Sequence, residues 1–306
     1  MIVLLKPPLI SVVVCTYNRA ALLANCLQSL AEQTLNPHSF EVIVVNNNST
    51  DYTKQVAKGY LDKYNNFRIV DEHRQGLSHA RNRGWQEAQG KYVAFIDDDA
   101  NATLDWLELI IHAFENVCPQ PASVGGEICP RFEAPPPSWF TEDLELRSWG
   151  DKAGFLSPPV SQFGFSGSNM AFPKHVIEDF GGFNTSFGMK GNEIGLGEEA
   201  HLYFRMHQSH APLWYDPAIR VHHWTPVRNT TMLYRAKRAF CAGRSRARIV
   251  GSTFYSLGML CELIRLPSFV FVSIASICLG RGVRCAELVK FVQGLCNRIG
   301  FCAGSM

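Results

Sequence analysis

The chain has 306 residues, 46% of them apolar, enough to bury one large α/β domain and a smaller appendage. Its net charge of +2 conceals a division: residues 1–225 hold 17 Lys or Arg against 25 Asp or Glu, whereas residues 226–306 hold 12 against 2. The 10 cysteines form no Cys-x-x-Cys pair and no zinc-like grouping with histidine, and Met1 to Pro8 carries no charged leader. The N-terminus is not expected to be a secretory signal, and the thiols read as reduced in a cytoplasmic protein.

Leu9 to Cys15 is a β-branched run that predicts the first strand, ending in Thr16-Tyr17-Asn18-Arg19 ahead of a helix over Ala20 to Ala31. Polar and aromatic groups thus stand at a strand's carboxyl end, where open α/β sheets bind ligands. A second strand, Glu41 to Val45, opens into Asn46-Asn47-Asn48-Ser49-Thr50-Asp51, with Ser49 or Thr50 placed to cap a helix reaching about Tyr64. Phe67 to Val70 is a short third strand. Gly76 then allows a tight turn, Ser78 is a candidate N-cap, and Arg81 falls in the first turn of a helix ending near Gly90. A helix N-terminus with arginines nearby suits a phosphate or diphosphate; a capped surface helix with solvated arginines fits the same pattern.

Tyr92 to Ile96 is a short apolar run of the kind buried on both faces of a sheet, and Asp97-Asp98-Asp99 follow at its end. Three adjacent acids repel unless they reach solvent or share a cation. Alternation along an extended chain points Asp97 and Asp99 the same way, giving hard-oxygen ligands for Mg²⁺ or Mn²⁺. Asp105 to Val117 supplies the next helix. The repeated β-α alternation predicts a mostly parallel sheet with helices on both faces, and no glycine-rich dinucleotide fingerprint, phosphate-loop sequence or internal repeat is present.

Cys129 to Phe165 is a long irregular segment with Pro135-Pro136-Pro137 and Trp139, whose aromatics either stack on a sugar or form a satellite core. Phe165 to Phe172 predicts a strand with a close-approach glycine at Gly167, and Pro173 can start a helix closed by Gly181-Gly182. Gly188 to Gly197 is a glycine-spotted loop leading into Glu198-Glu199, which either complement a helix dipole or supply a base beside a closing site. Pro217 to Trp224 ends in His222-His223. Tyr234 to Arg248 is a basic helix with interleaved aromatics, and the apolar run Leu266 to Leu279 is shorter than the roughly 20 residues a membrane span needs. This tail is expected to lie in an anionic membrane face, with a helical cap on the soluble domain as the alternative; its apolar stretches disfavour nucleic acid.

The ordered set Val13-Val14-Cys15-Thr16-Tyr17-Asn18-Arg19, Val45 to Asp51, Gly76 to Asn82, Asp97-Asp98-Asp99, Gly167 to Phe172, Gly181-Gly182-Phe183 and Gly197-Glu198-Glu199 resembles the family 2 glycosyltransferases of the GT-A fold. The resemblance implies a GT-A domain over 1–228, its nucleotide-sugar half about 1–100 and its acceptor half 101–228; the basic and apolar composition of 229–306 marks that region as membrane-associating. The resemblance also implies that Thr16, Tyr17, Arg19, Asn46, Asn48, Asp97 and Asp98 line the nucleotide-sugar pocket, with Asp97 toward the ribose and Arg81 near the diphosphate. Asp99 and His222 would bind Mg²⁺ or Mn²⁺, Gly167, Asn169 and Trp139 would meet the sugars, and Glu199 with Glu198 would be catalytic. Asn46 stands where the family usually has an aspartate that contacts the nucleobase, and Glu199 where it usually has an aspartate base.

The implied reaction is an inverting transfer from a nucleoside-diphosphate sugar to a hydroxyl of a saccharide or lipid-linked acceptor, in polysaccharide or glycoconjugate biosynthesis. The enzyme would sit peripherally on the inner face of the membrane. The alternatives are a polyprenyl-phosphate glycosyltransferase and a catalytically silent sugar-nucleotide-binding module.

Overall fold

The computed structural model describes residues 7–157, 164–191, 193–250 and 285–305. They fall into two compact units, the first drawn from 1–131, 145–192 and 198–224, the second from 132–144, 193–197 and 225–306.

The first unit is built on one sheet: β1 (Ile10–Thr16), β2 (Phe40–Asn46), β3 (Phe67–Asp71), β4 (Tyr92–Asp97), β5 (Ala100–Ala102), β6 (Ser123–Phe132), β7 (Gly154–Phe155), β8 (Met170–Pro173) and β9 (Leu213–Thr225). The strand order is β3-β2-β1-β4-β8-β6-β9-β5, with β7 on β9. The first four are parallel; β8 runs antiparallel to both β4 and β6. Its helices are α1 (Ala20–Ala31), α2 (Thr53–Leu61), α3 (Leu77–Glu87), α4 (Trp106–Asn116), α5 (Lys174–Asp179) and α6 (Glu198–Gln208).

Strand alternation sorts the core into two layers. Val12, Val14, Ala94 and Ile96 pack with Leu23 and Leu27 of α1 and Ile110 and Phe114 of α4. Val13, Val93 and Phe95 face the other way, onto Ala80 of α3 and Leu202 and Met206 of α6. Helices therefore cover both faces, and the carboxyl ends of β1, β2 and β4 come level: Thr16 pairs in register with Asn46, and Cys15 with Asp97.

Several local expectations shift. Ser49 and Thr50 do not cap α2; Ser49 Oγ accepts from the Asn18 amide and the Thr50 amide donates to Asn18 Oδ1, stitching the first two loops together. Asn18 takes φ of 52° to do so. Ser78 likewise does not cap α3, since its hydroxyl donates to Phe187 O at 2.8 Å. The strand expected from Phe165 shortens to Met170–Pro173, because residues 167–169 turn, and the segment from Cys129 begins inside β6.

The second unit holds α7 (Met232–Val250) and α8 (Cys285–Ser305). These helices cross closely at two glycines: a Cβ on Gly243 would lie 1.8 Å from Asn297 O, and one on Gly300 2.0 Å from Phe240 O. Phe140 and Leu144 form a small cluster with Phe132 and Trp139, so this part of the aromatic segment makes a satellite core, whereas its Trp149 and Phe165 join the main core. Among the described residues no helix is long and apolar enough to cross a membrane; the apolar stretch over 266–279 lies outside them.

Candidate active site

The end of β4 turns at Asp98 and Asp99, so the three acids spread rather than alternate strictly. Asp98 is buried, and Arg19, from the loop after β1, reaches Asp98 Oδ1 at 3.0 Å and Asp99 Oδ2 at 2.5 Å. Asp99 Oδ1 lies 3.2 Å from Nε2 of His223. Burial opposes ionisation of Asp99, but His223 and Arg19 outweigh it and hold the carboxyl well below its ordinary range. The same burial, together with the charge of Asp99, outweighs Arg19 at Asp98 and raises its carboxyl.

Ligand atoms of Asp97, Asp99 and His223 lie within 4.8 Å of one another. Two carboxylates and an imidazole at that spacing fit a divalent cation of the Mn²⁺ or Mg²⁺ kind. The expected histidine was His222, which is exposed and pairs in register with Asn101. Parity explains the exchange: Ile219 and Val221 are buried on β9, and His223 shares their side of the strand. That alternation was readable in the sequence.

A second acidic cluster opens α6. Glu198 and Glu199 both meet Arg81, through Nη1 at 2.9 Å and 3.2 Å. Glu198 is buried, and burial together with the charge of Glu199 holds its carboxyl above the ordinary range. Burial also works against Glu199, but Arg81 and the Gly167 amide, 3.0 Å from Oε1, outweigh it and lower its pKa. Ionisation is therefore favoured on Glu199 over Glu198. With a side chain 21% exposed against 4% for Glu198, Glu199 alone is reachable, which removes Glu198 from direct contact with a substrate.

Other expected residues divide. Thr16 is buried at the end of β1, Tyr17 half-buried, and Asn48 donates to His73 O at 2.8 Å. Asn46 donates to Asp71 Oδ1 at 2.8 Å and accepts from the Ser49 amide at 3.1 Å; Asp71, in register on β3, is also bridged by Lys54. Asn169 cannot face a sugar: it is 1% exposed and its amide is used up by Trp106 Nε1, Glu127 O and Ile219 O. Gly167 has no room for a side chain, and Trp139 packs in the second unit. Arg81, expected at the diphosphate, is enclosed by protein. Sequence reasoning missed Ser168, whose Oγ donates to Asp97 Oδ2 at 2.5 Å.

Residues 11–181 match the model of glycosyl transferase family 2. The chain belongs to that family. It is 30% identical over 240 residues to the glucosyl-dolichyl phosphate glucuronosyltransferase of Haloferax volcanii, covering 78% of this chain and 76% of that protein. It is also 30% identical over 224 residues to the validoxylamine A glucosyltransferase of Streptomyces hygroscopicus subsp. limoneus, covering 64% of this chain and 48% of that one. Among solved structures it resembles the mannosyltransferase PcManGT of Pyrobaculum calidifontis in complex with GDP-Man and Mn²⁺, with a TM-score of 0.65 at 20% identity over 98% of this chain and 87% of the other. GalNAc-T7 with UDP, GalNAc and Mn²⁺ gives 0.60 at 15% identity over 94% and 54%. The fold is of the GT-A type, and this family 2 member is a glycosyltransferase.

Proposed function

We propose that this family 2 enzyme moves a sugar from a nucleoside-diphosphate sugar to a hydroxyl of a saccharide or lipid-linked acceptor, with inversion. The observation that carries the reading is the pairing of two sites in one unit: the Asp97, Asp99 and His223 ligand set, and a reachable Glu199 held beside Arg81. A divalent ion held by those three would neutralise charge building on the departing diphosphate. Arg19, on a mobile-length side chain 35% exposed, can leave the aspartates for the same phosphates. Glu199 takes the acceptor hydroxyl's proton as that oxygen attacks the anomeric carbon from the face opposite the leaving group. One displacement inverts the centre and needs no enzyme nucleophile.

A lipid-linked acceptor draws support from the dolichyl phosphate compound in the name of the Haloferax relative. Basic residues of α7, among them the exposed Lys237, Arg244, Arg246 and Arg248, suit anionic head groups at the inner membrane face. The exposed Val227, Met232 and Leu233 near its start add apolar contact. The test is Mn²⁺-dependent binding of a panel of nucleoside diphosphates and their sugars, on the wild type and on Asp99→Ala. Metal-dependent binding of one nucleotide, lost in the variant, supports the reading and reveals what Asn46 beside Asp71 selects. Equal binding by Asp99→Ala overturns it.

A further inference from the structure

The guanidinium of Arg81 has surroundings unlike those of a phosphate ligand. Its side chain is 2% exposed, with Nη2 3.2 Å from Asp97 Oδ1 and Nη1 2.9 Å and 3.2 Å from the two glutamates. Phe183 covers it, the ring centroid 5.6 Å from Cζ. A Cβ on Gly167 would lie 1.8 Å from Nη2 and 2.7 Å from Glu199 Oε1, so the missing side chain at 167 is what admits the fork.

The next two contacts repeat the same connection by another route. The Gly167 amide donates to Glu199 Oε1, and the adjoining Ser168 hydroxyl donates to Asp97 Oδ2. Asp97 on β4 and Glu199 on α6 are therefore joined twice, by one planar guanidinium and by one dipeptide. Two rigid bridges between the same pair of carboxylates fix their separation.

Resting on the transferase reading above, we infer that Arg81 is a positioning residue that sets Glu199 relative to Asp97, with Gly167-Ser168 as its companion bridge, and that it does not touch the diphosphate. Lysine is a poor replacement, because a single ammonium cannot span carboxylates from two elements as a planar fork does. The charged and titratable groups around Glu199 are Arg81 from α3, Glu198 and Tyr203 from α6, and Asp97 from β4, with Cys15 of β1 facing Arg81.

The experiment uses the full chain, the nucleoside diphosphate selected from UDP and GDP with Mn²⁺, and release of nucleoside diphosphate from the matching sugar nucleotide. Arg81→Lys and Gly167→Ala should bind the nucleotide as the wild type does while kcat falls on the order of 10–100-fold, as for losses of outer-shell support. Arg81→Met should lose more than Arg81→Lys, and its acid limb should move to higher pH, since removing the cation raises Glu199. Gly167→Ala keeps every charge, so it decides the matter if the Arg81 variants fail to fold. Nucleotide affinity weakened by more than about tenfold with kcat retained would make Arg81 a phosphate ligand and overturn the inference. Unchanged kcat and pH profile with only a lowered melting temperature would overturn it as well. Full activity of Glu199→Gln would instead sink the base assignment, and this inference with it.

Discussion

Two buried polar networks lie at opposite ends of the same parallel strands. At the amino end, Glu41 accepts from Ser11 Oγ at 2.6 Å, the Gln89 amide at 2.7 Å and Arg68 Nε at 2.8 Å, and Ser11 Oγ accepts from the Gly90 amide at 2.9 Å. Arg68 also meets Glu87, so opposite charges stand side by side and the lone pairs are filled. At the carboxyl end, Asp97, Asp98, Asp99, Glu198 and Glu199 are shared by Arg19 and Arg81. Packing alone would not crowd five carboxylates around two arginines and His223, because each one without a full partner costs stability, and burial pushes Asp98 and Glu198 toward their neutral forms. The first network closes a structure, and the second is left open to a further cation. The difference separates a scaffold from a site within one sheet.

Substitutions can break that contrast, beginning with the largest effect. Glu199→Gln should lower kcat by about 10²–10⁴-fold, the range for loss of a general base, with nucleotide affinity unchanged in calorimetry. His223→Ala should sharply weaken Mn²⁺-dependent nucleotide binding while His222→Ala leaves it intact; the reverse result would return the metal role to the outward histidine. Glu41→Gln should do the opposite of both, costing about 1–3 kcal/mol in denaturant unfolding by setting an amide against Arg68, with no change in nucleotide affinity. The smallest effect is expected in acid. Hydrogen bonds from Arg74 depress Glu72 from 4.5 to about 2. A depressed folded-state value means that its stabilisation is complete above the unfolded value and is lost as pH falls toward 2. Thermal melts across that window should steepen for the wild type and flatten for Glu72→Gln.

Strands and helices of the parallel half were legible because their apolar runs are continuous and their spacing regular. Ala20 to Ala31 is helical as expected; β1 and β2 differ from the sequence reading by one residue at each end, and β3 by one at its carboxyl end. Caps were less legible, since Ser49, Thr50 and Ser78 spend their polar groups on residues distant in sequence. Long-range bonds leave no local signature. The carboxylates were visible as types at strand and helix ends, but which of them faces a cavity depends on parity and partners. Asn169 was placed at the sugars by the resemblance of the Gly167 to Phe172 motif; three buried contacts from separate elements make it a fastener instead. Ser168 was hidden by the reverse circumstance, an ordinary residue put to use only where the chain turns.

Level strand ends give the site a ruler. Thr16, Asn46 and the β4 terminus stand on neighbouring parallel strands, whose separation is set by backbone hydrogen bonds at about 4.8 Å per step. The lateral interval from Asn46 to Asp97 is thus two such steps, on the order of 10 Å, and no side-chain change can stretch it. Evolution of this pocket is confined to what the loops add above a fixed graduation: longer or shorter reach is available, whereas wider or narrower spacing is not.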